Sequence, residues 1–189
     1  MVPSTGSSRP YRKVARAKRE AETRLCITEA AVELHGTLGP AHTTIADIAR
    51  HAGVSRMTVY NHFPTEVDLF TACSMHWATL NPFPDPSTWA KLDSPGERLG
   101  SALEELYRWY GLKQGMLGNV FRDTPIVPPL AEVMETLWSP YAQQIVDCLA
   151  LGWPVRKAQS DKLRAALRLM VAFETWSLLT QSGLNDDQS

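Results

Sequence analysis

The chain has 189 residues, 44% of them hydrophobic, which suffices to bury a core as one domain or two small ones. Its three cysteines, Cys26, Cys73 and Cys148, are odd in number and lack CxxC spacing, which argues against a disulfide framework or a zinc site. The formal net charge of −1 hides an asymmetry, because residues 1–62 carry nine Lys/Arg against five Asp/Glu and the remainder carries ten against fifteen.

The basic excess sits at the start. Residues 1–15 read as a flexible basic arm, and Arg9, Arg12, Lys13, Arg16, Lys18 and Arg19 run up to the first helix. Such a run is either a solvated tail or an arm that displaces counterions near DNA. MVPSTGSSRP lacks the apolar core of a signal peptide and no apolar run reaches membrane length, so a cytoplasmic protein is expected. The first helix is expected from near Arg16 to Leu38, with Ile27, Ala30, Ala31, Leu34 and Leu38 as its buried stripe and Gly39-Pro40 closing it. Each cysteine lies in an apolar helical pattern and is expected to be a small buried hydrophobe.

Thr43 to Phe63 then packs two short helices and a glycine turn into twenty-one residues. Thr44 and Asp47 have capping-box spacing, Ile45, Ile48, Ala49 and Ala52 recur at helical spacing, and Gly53 supplies the turn. Ser55 can cap the next helix, in which Val59 faces inward while Arg56, Met57, Tyr60 and Asn61 fall on the opposite side. Pro64 disfavours helix at Phe63 and so ends it. A short helix with a small apolar anchor and an outward face of Arg, Tyr and Asn suits reading of a DNA major groove.

Thr65 and Asp68 start a fourth helix that runs through Leu69, Phe70, Cys73 and Trp77 to about Leu80. Pro82, Pro84, Pro86 and Pro95 interrupt regular structure over residues 81–97. Ser94-Pro95-Gly96-Glu97 opens a fifth helix with Leu99, Leu103, Leu106 and Tyr110 inward, and a short sixth is expected over Leu112 to Arg122. Gly111, Gly115 and Gly118 form no phosphate loop and read as weak points there. After Pro129 comes a longer helix with a kink near Trp138 imposed by Pro140. A last long helix is expected over Asp161 to Gln181, with Leu163, Leu167 and Met170 on one stripe and Ala166, Leu169, Phe173 and Trp176 on another that needs a partner. No useful strand-period alternation occurs, so the fold is expected to be all-α.

The segment from about Ala30 to Phe70 resembles the N-terminal domain of TetR-family transcriptional regulators. Ala30-Ala31, Leu34, Gly39, Thr43-Thr44, Ile48-Ala49, Ala52-Gly53-Val54-Ser55, Thr58-Val59-Tyr60, His62-Phe63 and Leu69 stand in that family's order and spacing. Two positions depart: Glu66 stands where the family usually has a Lys near the start of its fourth helix, and His35 where it more often has Phe. The resemblance implies a three-helix helix-turn-helix domain over residues 16–64 and a helical-bundle ligand-binding and dimerisation domain over residues 65–189. The family's usual final helix is not expected in that stretch, the alternatives being a truncated product or a dimer interface built differently.

On that resemblance the chain is expected to be a ligand-responsive repressor, a homodimer released from a palindromic double-stranded operator by a small apolar or aromatic effector. Arg56 would read a base through guanine O6 and N7, and Met57 would touch a thymine methyl. Thr44, Ser55, Tyr60 and His62 would hold phosphates, with Thr58 and Asn61 completing the DNA-facing set. All six tryptophans follow the DNA-reading unit, and each can fill core or line a ligand cleft. Trp109, Trp138 and Trp176, with Phe121, are the candidates for the cleft because they lie in the helices that surround the cavity in similar proteins. Glu174 is the one acid on the apolar stripe of the last helix and suits a cationic ligand, a salt bridge or an exposed edge. The alternative is a DNA-binding regulator controlled by a protein partner or by no ligand. An enzyme is disfavoured, since GxSxG, HExxH and paired-carboxylate contexts are missing, and neither cofactor nor metal site is expected.

Overall fold

The computed structural model describes residues 8–183, and the expected residues 1–7 of the basic arm lie outside them. Among the described residues every regular element is helical. In chain order these are α1 (Ser8–Thr37), a 3-10 turn (Pro40–His42), α2 (Ile45–His51), α3 (Arg56–His62), α4 (Glu66–Leu80), the single turn α5 (Pro86–Trp89), α6 (Pro95–Asp123), a 3-10 turn (Thr124–Ile126), α7 (Pro128–Val133), a π-helical segment (Met134–Trp138), α8 (Ser139–Leu149), α9 (Lys157–Met170) and α10 (Phe173–Gln181).

Helix α1 begins at Ser8 rather than near Arg16. Its N-terminal half is built from Ala, Arg, Lys and Glu, all good helix formers, and Pro10 falls in the first turn, where a missing N–H costs no helical bond. The buried stripe of α1 holds at Ile27, Ala30 and Ala31, but Leu38 lies past the helix end and is 48% exposed. Ile27, Ala30 and Ala31 pack with Ile48, Ala49, Val59, Phe63, Leu69 and Cys73 into the core of the N-terminal unit. Of the cysteines only Cys73 is buried, while Cys26 is exposed and Cys148 intermediate. Cys26 sits one place before the buried stripe, at its edge, with its thiol donating to the Ala52 carbonyl (3.5 Å).

The fifth and sixth helices expected from the sequence are one helix, α6. Glycine in a helix interior costs about 1 kcal/mol, and here the burial of Leu106, Tyr107, Trp109 and Tyr110 before the glycines and of Leu117 between them outweighs that cost. The single long helix expected at the end is instead two. Ala172 is extended (φ −72, ψ 140), and the carbonyls released at the break accept hydrogen bonds from the hydroxyls of Tyr107 (to Met170, 2.7 Å) and Tyr110 (to Val171, 2.7 Å). The break rotates the second apolar stripe inward, so Phe173 and Trp176 are buried rather than awaiting a partner, whereas Leu169 and Leu178 are exposed. Pro140 removes the N–H that would have bonded the Thr136 carbonyl, and the chain accommodates this by widening the preceding turn into the π-helical segment.

The larger core joins α6, α8, α9 and α10 around Leu106, Tyr110, Ile145, Leu149, Leu167 and Trp176. A small third cluster, Phe70 with Leu130 and Val133, ties α4 to α7. The two halves of the chain thus share α4 and the C-terminal end of α1, which packs on α6.

Candidate functional site

The helix-turn-helix is set by contacts three residues apart. The Thr44 hydroxyl accepts from the Asp47 N–H (3.1 Å) while the Asp47 carboxylate accepts from the Thr44 N–H (3.2 Å), and the hydrogen bonds from Thr44 hold that carboxyl below its usual range. Gly53 takes φ +66, where a side chain is disfavoured, to turn the chain into α3. Ser55 accepts from the Thr58 N–H (3.1 Å), and Phe63 closes the helix before Pro64. From α1, Arg24 donates to the His62 carbonyl and places its guanidinium 4.0 Å from the Phe63 ring centroid, pinning the end of α3. What remains outward on α3 is Arg56, Met57, Tyr60 and Asn61, with Met57 67% and Tyr60 50% exposed. An exposed apolar methionine beside arginine and tyrosine on a rigid short helix is unfavourable in water and suited to a groove.

A clasp joins this unit to α6. Asn119 donates from Nδ2 to the His35 (3.0 Å) and Gly36 (2.9 Å) carbonyls, capping the end of α1. The buried Asp123 carboxylate accepts from the Ala41 N–H (2.9 Å) and pairs with Arg122 (2.7 Å). Burial alone would raise this carboxyl, and the bonds from Arg122 and Ala41 outweigh it, leaving it ionised below its usual range. Gly39 at φ +96 makes the approach possible, since a Cβ there would come within 2.2 Å of Arg122 Nη2 and 2.7 Å of Asp123 Oδ2.

Beside the clasp lies a cavity of about 260 Å³. Its wall takes Val32 and His35 from α1, Phe70 and Trp77 from α4, Phe83 from the proline loop, Met116 and Phe121 from α6, Leu130 from α7 and Trp138 from the π-helical segment. The proline loop is held in place by long-range donors, Trp109 Nε1 to the Pro82 carbonyl (3.0 Å) and the Tyr141 hydroxyl to the Pro84 carbonyl (2.9 Å). Phe121 meets Trp138 edge-on at 5.3 Å and stacks on Phe173 at 5.2 Å, so aromatic rings run from the wall into the core. His35 stacks on Phe70 with centroids 5.1 Å apart and planes 22° from parallel. Burial lowers the His35 imidazole to about 4, against a small opposing pull from Asp123, so it is neutral at physiological pH. His35 and Phe70 also border a second cleft, on the DNA side, together with Thr44, Arg56, Tyr60 and Glu66.

Residues 27–73 match the family of bacterial regulatory proteins, tetR family. The N-terminal domain of this chain is therefore a tetR-family domain. The HTH-type transcriptional regulator TtgR of Pseudomonas putida is 48% identical to this chain over 60 residues, which is 31% of this chain and 29% of TtgR. The match therefore spans less than a third of the curated relative. Likeness over the whole fold comes from solved structures. NalD, the secondary repressor of the MexAB-OprM multidrug efflux pump in Pseudomonas aeruginosa, is 21% identical with a TM-score of 0.61 and 90% of each chain covered. A Saccharomonospora viridis protein solved in complex with choline is 21% identical with a TM-score of 0.60, covering 88% of this chain and 91% of the other. At these identities they show that the TetR-family domain continues into the same all-helical fold.

Of the expected DNA-facing residues, Thr44, Arg56 and Tyr60 border the second cleft together. Thr44, Ser55, Arg56, Met57, Tyr60 and Asn61 are exposed, and Thr58 and His62 are half-buried. Of the expected cleft residues, Phe121 and Trp138 line the cavity. Trp109 and Trp176 lie in the core behind it, and Glu174 is exposed on α10. His35, Phe70, Trp77 and Phe83 were not anticipated as cavity residues. The one signal for them was His35, a polar residue four places after the buried Ala31. No group of three or more His, Cys, Asp or Glu suited to a metal occurs among the described residues, and no helix there is long and apolar enough to cross a membrane.

Proposed function

We propose that this chain is a cytoplasmic, ligand-responsive transcriptional repressor rather than an enzyme, binding a palindromic operator as a homodimer and released by a small apolar or aromatic molecule in the junction cavity. The observation that carries this reading is the His35–Phe70 stack, which lines both the cavity and the cleft bordered by Arg56 and Tyr60. A ligand that moves the stack alters the seat of the reading helix, and so binds the DNA-competent and DNA-incompetent states with different affinity, which is the requirement for coupling. Arg56 reads a base and Met57 a thymine methyl, while Tyr60, His62, Thr44 and Ser55 set register on phosphates, flanked by Thr58 and Asn61. Thr44 and Ser55 cap through a lone pair and hold a phosphate through the O–H, which in Thr44 turns away from the Asp47 carboxylate (2.6 Å) to do so.

Dimerisation is assigned to α9 and α10, where Leu169 and Leu178 are 69% and 64% exposed. The NalD repressor and the choline complex support repression and small-molecule binding by this fold, although the cavity wall here holds no formally charged side chain and so suits a different ligand from choline. Selection of the operator from genomic fragments, followed by a small-molecule screen for release, tests the reading. Operator binding that no small molecule relieves would favour control by a protein partner.

A further inference from the structure

The His35 ring on the wall of the junction cavity lacks a hydrogen-bond partner among the described residues. His35 is only 5% exposed, and its imidazole makes no hydrogen bond among the described residues; what acts on it is burial and the charge of Asp123. Its position is fixed on two sides, by the stack on Phe70 and by the Asn119 amide that holds its backbone carbonyl. A neutral imidazole carries one donor and one acceptor, and those of His35 are not sealed in the protein but open on the cavities it borders, free to meet a ligand. The surrounding wall of Phe70, Met116, Phe121, Leu130 and Trp138 offers hydrophobic contact and no formal charge. A charged molecule would lose hydration there without a counter-ion.

We propose that His35 is the hydrogen-bonding anchor of the cavity and selects an uncharged, largely aromatic ligand bearing a hydroxyl group, whose ring lies against Phe121 and Trp138. This rests on the reading of the cavity as the effector site, and it adds both the class of ligand and the residue that recognises it. Because His35 belongs to α1, the anchor lies on the DNA-binding unit itself. The ligand then bridges α1 to α6 and to the π-helical segment, instead of being enclosed by the regulatory helices alone.

The test compares two single-ring probes of similar shape, p-cresol and p-xylene, binding to the full chain and to its His35→Phe variant. Phenylalanine preserves the stack on Phe70 and removes both polar atoms. The expected result is that the ratio of p-xylene to p-cresol dissociation constants falls about tenfold in the variant, the scale of one buried hydrogen bond. In the wild-type protein, the His35 ring-nitrogen resonances should move on addition of p-cresol and not of p-xylene, a measurement that stands even if the variant fails to fold. An unchanged ratio, or ring-nitrogen resonances indifferent to p-cresol, with both probes bound, overturns the anchor and leaves the cavity as an effector site. Binding of neither probe by the wild-type chain overturns the effector site as well.

Discussion

The DNA-reading half and the regulatory half end their helices by different means. In the first, α2, α3 and α4 each start on a side chain that accepts from the N–H three residues later: Thr44 to Asp47, Ser55 to Thr58 and Thr65 to Asp68. In the second, Asp85 and Ser94 likewise cap α5 and α6, but further side-chain donors, most of them distant in the chain, hold its loops and breaks. Arg98 donates to the Leu92 and Leu151 carbonyls (both 2.7 Å), Tyr107 and Tyr110 hold the break between α9 and α10, and Trp109 and Tyr141 hold the proline loop. Local caps make a unit whose shape varies little with its surroundings. Long-range side-chain donors make one whose loops and breaks depend on packing.

The largest effect expected is on the joint between the halves. The unfolded His35 takes up a proton near 6.5 while the folded one stays neutral until about 4. The native state therefore loses stability as pH falls through that window, by about 3 kcal/mol in full. His35→Phe should flatten the pH dependence of urea unfolding between these limits. A wild-type stability that does not decline there would show that His35 finds a partner in solution.

Next is the regulatory half. Tyr110→Phe removes the donor to the Val171 carbonyl and leaves a buried acceptor unmet, at a cost of about 1–3 kcal/mol in urea unfolding. A loss under about 0.5 kcal/mol would mean that the α9–α10 break is set by the backbone of Ala172 and not by the tyrosine.

The DNA-reading half gives a similar magnitude in binding. Arg56→Ala should weaken affinity for the selected operator by about 1–3 kcal/mol and affinity for unrelated DNA much less. Equal losses in a titration of both DNAs would assign Arg56 to a phosphate.

The smallest expected effect sharpens the contrast of local against long-range. Thr65→Ala breaks a cap at the start of α4 and should cost about 1 kcal/mol in thermal unfolding. It should leave the tryptophan fluorescence of the regulatory half unchanged. A spectral change would mean that α4 transmits even its local cap to the cavity.

The helix-turn-helix was legible in the residues, down to its caps, its glycine turn and its outward face. Each of those features rests on groups no more than four residues apart, so spacing alone reveals them. The cavity was legible only in part. Phe121 and Trp138 were anticipated on it, but Trp109 and Trp176, equally aromatic and also in the regulatory helices, turned out to be core. Periodicity says that a residue faces inward and not whether the inside is filled there.

The same limit explains the helices that were divided wrongly. Three glycines suggested a boundary inside α6, yet the buried Tyr107, Trp109 and Tyr110 before them and Leu117 and Asp123 further on hold it continuous. An unbroken helical pattern hid the stop at Val171–Ala172, because the tyrosine hydroxyls that satisfy its carbonyls lie over sixty residues away in the chain. Residue order thus settled the all-α class, the DNA-reading motif and the side it presents, since these follow from backbone hydrogen bonds made good within one helical turn. Where the final helices break, which tryptophans reach the cavity and why a buried histidine at position 35 faces both it and the reading helix were settled by packing. Those outcomes depend on which distant side chains arrive to satisfy a carbonyl or fill a volume, and no local pattern carries that information.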